Sequence, residues 1–244
     1  MQRSRLALAT LAGGLAPIAA EAQLAPQPNA TEYLNYLNAS SAVASTGLSP
    51  RVYVGPYQGR FEYGGGAVSD NFALYCVDYL HYASNSDGAV NVYGLGGDVG
   101  TLSTTRFDEQ GVYLRAAYLS SLFDTYAGAA DRQFQWSALH AAIWRTTSGT
   151  DATNNAAVDA RADYFFSLAL NDLPGDFDGS GWYVLSSVEL AEAGYANASY
   201  DKTGQEFLIR AEATSVPEPG SMMLLATGLL FLVFVTRRRA LESV

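Results

Sequence analysis

One cysteine and two histidines supply the nucleophilic and imidazole chemistry of this chain of 244 residues. Cys76 lies in Leu74-Tyr75-Cys76-Val77-Asp78, and His140 opens His140-Ala141-Ala142-Ile143-Trp144. A histidine beside a cysteine lowers the thiol pKa, and the resulting thiolate attacks carbonyl carbon. With an aspartate such as Asp78 as third member, the pair would make a hydrolase or an acyltransferase. The spacing works against this, because Asp78 is two residues from Cys76 on one strand face and need not reach His140. Each residue also has a plainer reading. Cys76 shares a face with Phe72 and Leu74 and fits a small buried hydrophobe. His140 shares a helix face with Trp136, Ile143 and Trp144 and fits a satisfied core histidine. No catalytic residue is assigned.

Metal and cofactor chemistry find less support. His81 and His140 are the only histidines and fall on different elements, so no two-histidine metal site is expected. Asp176-Phe177-Asp178-Gly179-Ser180-Gly181 has the look of a calcium-loop fragment, but helix–loop–helix spacing needs carboxylates where Pro174 and Leu185 stand. It reads as a solvated turn ahead of a strand. The glycines from Gly94 to Gly100 lack the strand–turn–helix setting of a phosphate loop. No metal and no cofactor is assigned. A single cysteine also rules out an intrachain disulfide.

The elements that must hold Cys76 and His140 follow from periodicity. Val52 and Val54 alternate with Tyr53 and Gly55, and Phe72 to Tyr79 is dense in β-branched and aromatic residues, so both stretches predict strands. Gly64-Gly65-Gly66, Asn85 to Asp87 and Gly94 to Gly100 predict turns. Val112, Ala116, Leu119 and Phe123 then fall on one helical face, with Asp108 and Glu109 at its positive end. A second helix is expected from Asp131 to about Thr146, and a third from Asn155 to Leu170 with Val158, Ala162, Phe165 and Ala169 inward. Strand character returns at 181–185 and 205–209. The expected class is α+β: a β-sandwich or barrel part with an inserted helical subdomain.

The two ends read differently. Arg3 and Arg5 precede an apolar stretch from Leu6 to Ala20, and Ala20-Glu21-Ala22 fits signal-peptidase cleavage between Ala22 and Gln23. At the other end Pro217-Glu218-Pro219 precedes an apolar run, Met222 to Val235, and then Arg237, Arg238 and Arg239. The run is short for a bilayer, which takes about 20 helical residues, and the arginines would stay cytoplasmic. Prolines 217 and 219 would hold the preceding chain extended, where an enzyme can grip it. The division expected is 1–22 signal peptide, 23–50 loose lead-in, 51–213 exported domain, and 214–240 sorting signal with a transmembrane helix at about 221–236. Five of the 14 Lys+Arg and three of the 24 Asp+Glu lie in the end segments, which leaves the exported part near −12. Such a surface repels nucleic acid and anionic lipid, so nucleic acid is not an expected partner.

Two resemblances rest on these motifs. Val216-Pro217-Glu218-Pro219, the apolar run and the arginine cluster resemble the PEP-CTERM sorting signal of Gram-negative bacteria. The resemblance implies an exosortase as partner, besides signal peptidase and the export machinery, with cleavage near the Pro-Glu-Pro. It further implies transient membrane anchoring, then a cell-surface or matrix destination among exopolysaccharide and biofilm components. The Cys76-Val77-Asp78 strand and the Ala142-Ile143-Trp144 helix resemble the thioester domains of bacterial surface adhesins, over roughly 51–210. There a strand cysteine bonds to the glutamine of a Thr-Gln-x-Ala-Ile-Trp motif. His140 stands at that glutamine position and Leu139 at the threonine, while Gln133 and Gln135 lie elsewhere on the helix. An imidazole has no carbonyl to acylate, so the resemblance implies the fold without a Cys76–His140 thioester. A covalent adhesin would need another acyl donor.

Overall fold

The computed structural model describes residues 30–63, 66–79, 87–96, 102, 104–193 and 204–211. Six strands close into an antiparallel barrel: β1 (Thr31–Asn38), β4 (Tyr57–Glu62), β5 (Phe72–Cys76), β8 (Phe207–Arg210), β7 (Trp182–Ser187) and β6 (Gly88–Gly94), in that order around the wall. Two short strands, β2 (Val43–Ala44) and β3 (Tyr53–Val54), pair outside it. The helices α1 (Gln110–Ser121), α2 (Arg132–Ser148) and α3 (Ala156–Asn171) are inserted between β6 and β7, and the short α4 (Val188–Ala193) follows β7. The α+β class and the inserted helical subdomain are as the sequence predicts, and the β part is a barrel.

Alternation decides what fills the barrel. Leu74 on β5 is opposite Tyr57 on β4 and Ile209 on β8, and Cys76 is opposite Phe207. Partners directly across a ladder share a face, so these residues point one way. With Leu34, Phe61, Val92 and Leu185 they form a buried layer inside the wall. Phe207 meets Tyr57 edge to face at 6.4 Å. The alternate residues Tyr75, Val184 and Leu208 face the helices, where Tyr75 packs on Phe123 at 5.8 Å. β4 passes close to β5 because position 59 is glycine: a Cβ there would stand 2.6 Å from Leu74 Cδ1.

The loose lead-in expected over 23–50 is corrected by β1, a full barrel strand that pairs with both β4 and β6. Its alternation is hidden because the outward residues include Tyr33, 46% exposed, while only Leu34 is fully buried. The strand expected near 51–54 shrinks to two residues, and β4 and β6 are not anticipated: Gly59 and Arg60 interrupt the apolar pattern of β4, and β6 is a short run between Gly88 and Gly94, next to stretches read as turns.

The helices have clear local causes. Asn155 caps α3 by accepting from the Ala157 and Val158 N–H groups, at 2.9 and 3.2 Å, two donors that the helix itself leaves free. Gly149 ends α2 at φ 63°, a conformation that costs glycine nothing. α2 is the central helix: every residue from Trp136 to Trp144 is buried. Among the described residues no helix is long and apolar enough to cross a membrane. The expected signal peptide, with Ala22 and Gln23, and the tail, with Pro217, Glu218, Pro219, Arg237, Arg238 and Arg239, lie outside the described residues, as does His81.

Candidate functional site

Cys76 ends β5 and is 1% exposed. Its thiol donates to the Asp78 carbonyl oxygen at 3.4 Å. Burial first, then the nearby Asp78 charge, push the thiol pKa up to about 12. A thiol so placed holds its proton at neutral pH and is a poor nucleophile. Two N–H donors stand near it: the indole of Trp144, which does not reach hydrogen-bond geometry, and the side-chain amide of Gln205.

His140 sits mid-way along α2 and is wholly buried. The Gly55 N–H donates to Nδ1 at 3.0 Å, which leaves the ring proton on Nε2. The ring stacks on Trp144 at 5.1 Å and packs on Phe123 at 5.0 Å. Burial drives its pKa down to about 3, so it is a neutral core imidazole. Nε2 and the Trp144 Nε1 have no hydrogen-bond partner. The loop that approaches His140 requires glycine: Gly55 has φ 111°, and a Cβ would lie 2.4 Å from the Trp136 ring. Cys76 and His140 thus have Trp144 as a common neighbour, but each has its own backbone partner and no hydrogen bond joins them.

Asp78 takes a different role from a triad aspartate. It is fully buried, and its carboxylate accepts from Arg106 Nη1 at 2.7 Å. Arg106 Nη1 also lies 3.3 Å from Ser148 Oγ on α2, and the Arg106 backbone N–H donates to Glu206 Oε1 at 3.1 Å. The Tyr113 hydroxyl of α1 donates to Glu206 Oε2 at 2.6 Å. Glu206 is fully buried just ahead of β8, and burial raises its pKa to about 7 against the opposing hydrogen bonds. Burial, followed by the Glu206 charge, raises the Tyr113 pKa far above the ordinary tyrosine value.

Gln205 belongs to the same assembly. Its side-chain amide donates to the Asp78 carbonyl oxygen at 3.0 Å, the oxygen that also receives the Cys76 thiol. The β5–β8 ladder explains this: Cys76 is opposite Phe207 and Val77 N–H reaches the Glu206 carbonyl, so Gln205 stands level with Asp78. Gln205 also lines a cavity of about 190 Å³, together with Leu34, Val90 and the acidic Asp87, Glu189 and Glu192. Sequence reading placed Gln205 and Glu206 in a strand and missed their role. Adjacent polar residues at the start of an otherwise apolar strand were the available signal.

Elsewhere, Asp178 accepts from the Ser180 N–H and hydroxyl, both at 2.8 Å, in the turn that leads into β7. Gly179 and Gly181 of that turn have φ of 74° and 77°. Among the described residues no group of three or more His, Cys, Asp or Glu could hold a metal ion.

Residues 215–239 match the family model of the PEP-CTERM protein-sorting motif. The whole-chain comparisons with curated proteins and with solved structures return no match. The motif supports processing of the chain by an exosortase, and implies export, a transient membrane anchor and a cell-surface or extracellular fate.

Proposed function

We propose that the exported domain is a non-enzymatic binding or structural component of exopolysaccharide or biofilm, delivered by exosortase processing. The observation that carries this reading is the state of its reactive groups. The one thiol is buried and protonated, and the one described imidazole is buried and neutral. Neither has the exposure or the mutual contact that nucleophilic catalysis needs. The strongly acidic exported surface suits neutral or cationic matrix polymers. The test is recovery of the protein in the matrix fraction of cells that carry the native chain, Cys76→Ala, or alanines at 217–219. Cys76→Ala is expected to leave matrix recovery unchanged, and the triple alanine variant to hold the protein in the membrane. Loss of matrix recovery in Cys76→Ala overturns the non-enzymatic reading.

A second reading, a covalent adhesin, is favoured by one observation: the Gln205 amide and the Cys76 thiol meet at one carbonyl oxygen. Attack of Sγ on the Gln205 side-chain carbonyl carbon would form an S–C bond and break the C–N bond. The thiol proton would leave with ammonia. The acidic rim over Gln205 would suit an amine as the eventual acceptor. Intact mass decides: a mature protein lighter by one ammonia, which takes up one methylamine to give a product one CH2 heavier than the unmodified chain, supports the reading, and a full mass ends it.

A further inference from the structure

The buried polar cluster contains two carboxylates, one guanidinium and one phenol, contributed by four segments of chain that meet at the start of β8. Asp78 follows β5, Arg106 precedes α1, Tyr113 is on α1 and Glu206 leads into β8. Among the described residues, the titratable or charged groups that face Glu206 are Tyr113, Arg106 and Asp78, with the Cys76 thiol beyond Asp78. Arg106 pairs its guanidinium with Asp78 at 2.7 Å, and Glu206 receives its backbone N–H and a weaker attraction from its charge without a direct ion pair. The Tyr113 hydroxyl is neutral. An ionised Glu206 is therefore a second buried negative charge beside Asp78 with no cation of its own. Removing a carboxylate from water without a paired charge is unfavourable, and the group takes up a proton instead.

We propose that Glu206 is a proton-operated latch on the last barrel strand: protonated, it closes β8 between β5 and β7, and ionised, it loosens that closure. The position makes the coupling direct. The backbone carbonyl of Glu206 accepts from Val77 N–H, one step before the β5–β8 ladder. Its side chain reaches α1 and the loop ahead of it. Displacing Glu206 toward water breaks the contacts by which the helical insertion holds β8. In the closed state the group titrates near 7, and in water near 4.5. A carboxyl whose folded value is raised favours the closed state most strongly in acid, and that preference fades as pH rises between those two values. The barrel of an exported protein would thus tighten in acidic surroundings and relax near neutrality.

The test is amide hydrogen exchange of residues 207–210 in the intact chain from pH 4.5 to 8.5, corrected for intrinsic exchange. One linked proton predicts that β8 protection falls about tenfold per pH unit up to about pH 7 and then levels off. Glu206→Gln, which keeps the shape and cannot ionise, is expected to give a flat profile. A flat profile in the native chain, or a sloping one in Glu206→Gln, overturns the latch. A measurement without any variant guards against misfolding: the side-chain carboxyl ¹³C resonance of Glu206 followed through pH. Its inflection is expected well above the ordinary carboxylate range, and an ordinary inflection also overturns the proposal.

Discussion

Replacing His140 with glutamine tests the burial argument and the adhesin resemblance in one protein. In the folded chain the imidazole resists protonation until about pH 3, whereas an unfolded histidine takes its proton near pH 6.5. The folded value is depressed, so for this base the stability contribution is complete above pH 6.5 and is lost as pH falls. The loss amounts to about 1.4 kcal/mol per pH unit, or about 3 kcal/mol by pH 4.5. Glutamine carries no such proton. Its side-chain oxygen can accept the Gly55 N–H that Nδ1 now receives, but its amide hydrogens inherit the missing acceptor of Nε2. It also gives up the ring contacts with Trp144 and Phe123, worth about 1 kcal/mol each.

His140→Gln is therefore expected to be less stable than the native chain at pH 7, by about 1–2 kcal/mol. It is expected to be the more stable of the two at pH 4.5, and the curves should cross between about pH 5 and 6. Urea unfolding of both proteins at several pH values measures this. Every other titrating group is common to both and cancels in the difference. A difference that stays constant from pH 7 to 4.5 would mean that His140 titrates normally when folded, and the reasoning from its burial would fail. The same samples report intact mass. A deficit of one ammonia in His140→Gln alone would show that the helix position, and not Gln205, can acylate Cys76.

Three further substitutions probe the framework. Arg106→Leu strips the ion-pair partner from buried Asp78 and should cost about 3–5 kcal/mol in urea unfolding; a loss under 1 kcal/mol would mean that the pair is solvated. Gly55→Ala puts a Cβ 2.4 Å from the Trp136 ring at φ 111° and should cost about 2–4 kcal/mol, combining overpacking with left-handed strain. A melting temperature within a degree of the native one would refute that close approach. Arg145 joins α2 to Asp151, ahead of α3, and to Asp159 and Asp163 on α3 itself, carboxylates between 43% and 67% exposed. Arg145→Ala should cost only about 1 kcal/mol, and less in 1 M salt. A cost that is large and insensitive to salt would show a buried role instead.

The helices were legible because their apolar spacing is regular: Val158, Ala162, Phe165 and Ala169 are the buried residues of α3. The strand at Cys76 was legible for the same reason, since β5 is apolar on both faces, one toward the barrel interior and one toward the helices. β1 and β4 were not. Their outward positions hold Tyr33, Asn35, Gln58 and Arg60, and β4 carries a glycine where Leu74 crosses, so neither stretch shows a full apolar stripe. The chemistry of Cys76 and His140 was legible as a pair of alternatives, and burial favours the structural one. What no spacing could reveal is that Asp78, Arg106, Tyr113 and Glu206 meet. They are up to 128 positions apart, and only the β5–β8 pairing and the helical insertion bring them together.

That pairing also ties the barrel to its sorting signal. β8 ends at Arg210, and the matched motif begins at residue 215. Even fully extended, the chain from Arg210 to the apolar run at Met222 spans about 43 Å at most, at up to about 3.6 Å per residue. If that run enters the bilayer, the folded barrel must stay within that reach until its tail is cut. The final strand then has two duties. It closes the barrel through Phe207, Leu208 and Ile209, and it leads the chain toward the sorting enzyme. A latch at Glu206 stands where a loosened β8 would lengthen the segment offered for cleavage, and a closed one would shorten it.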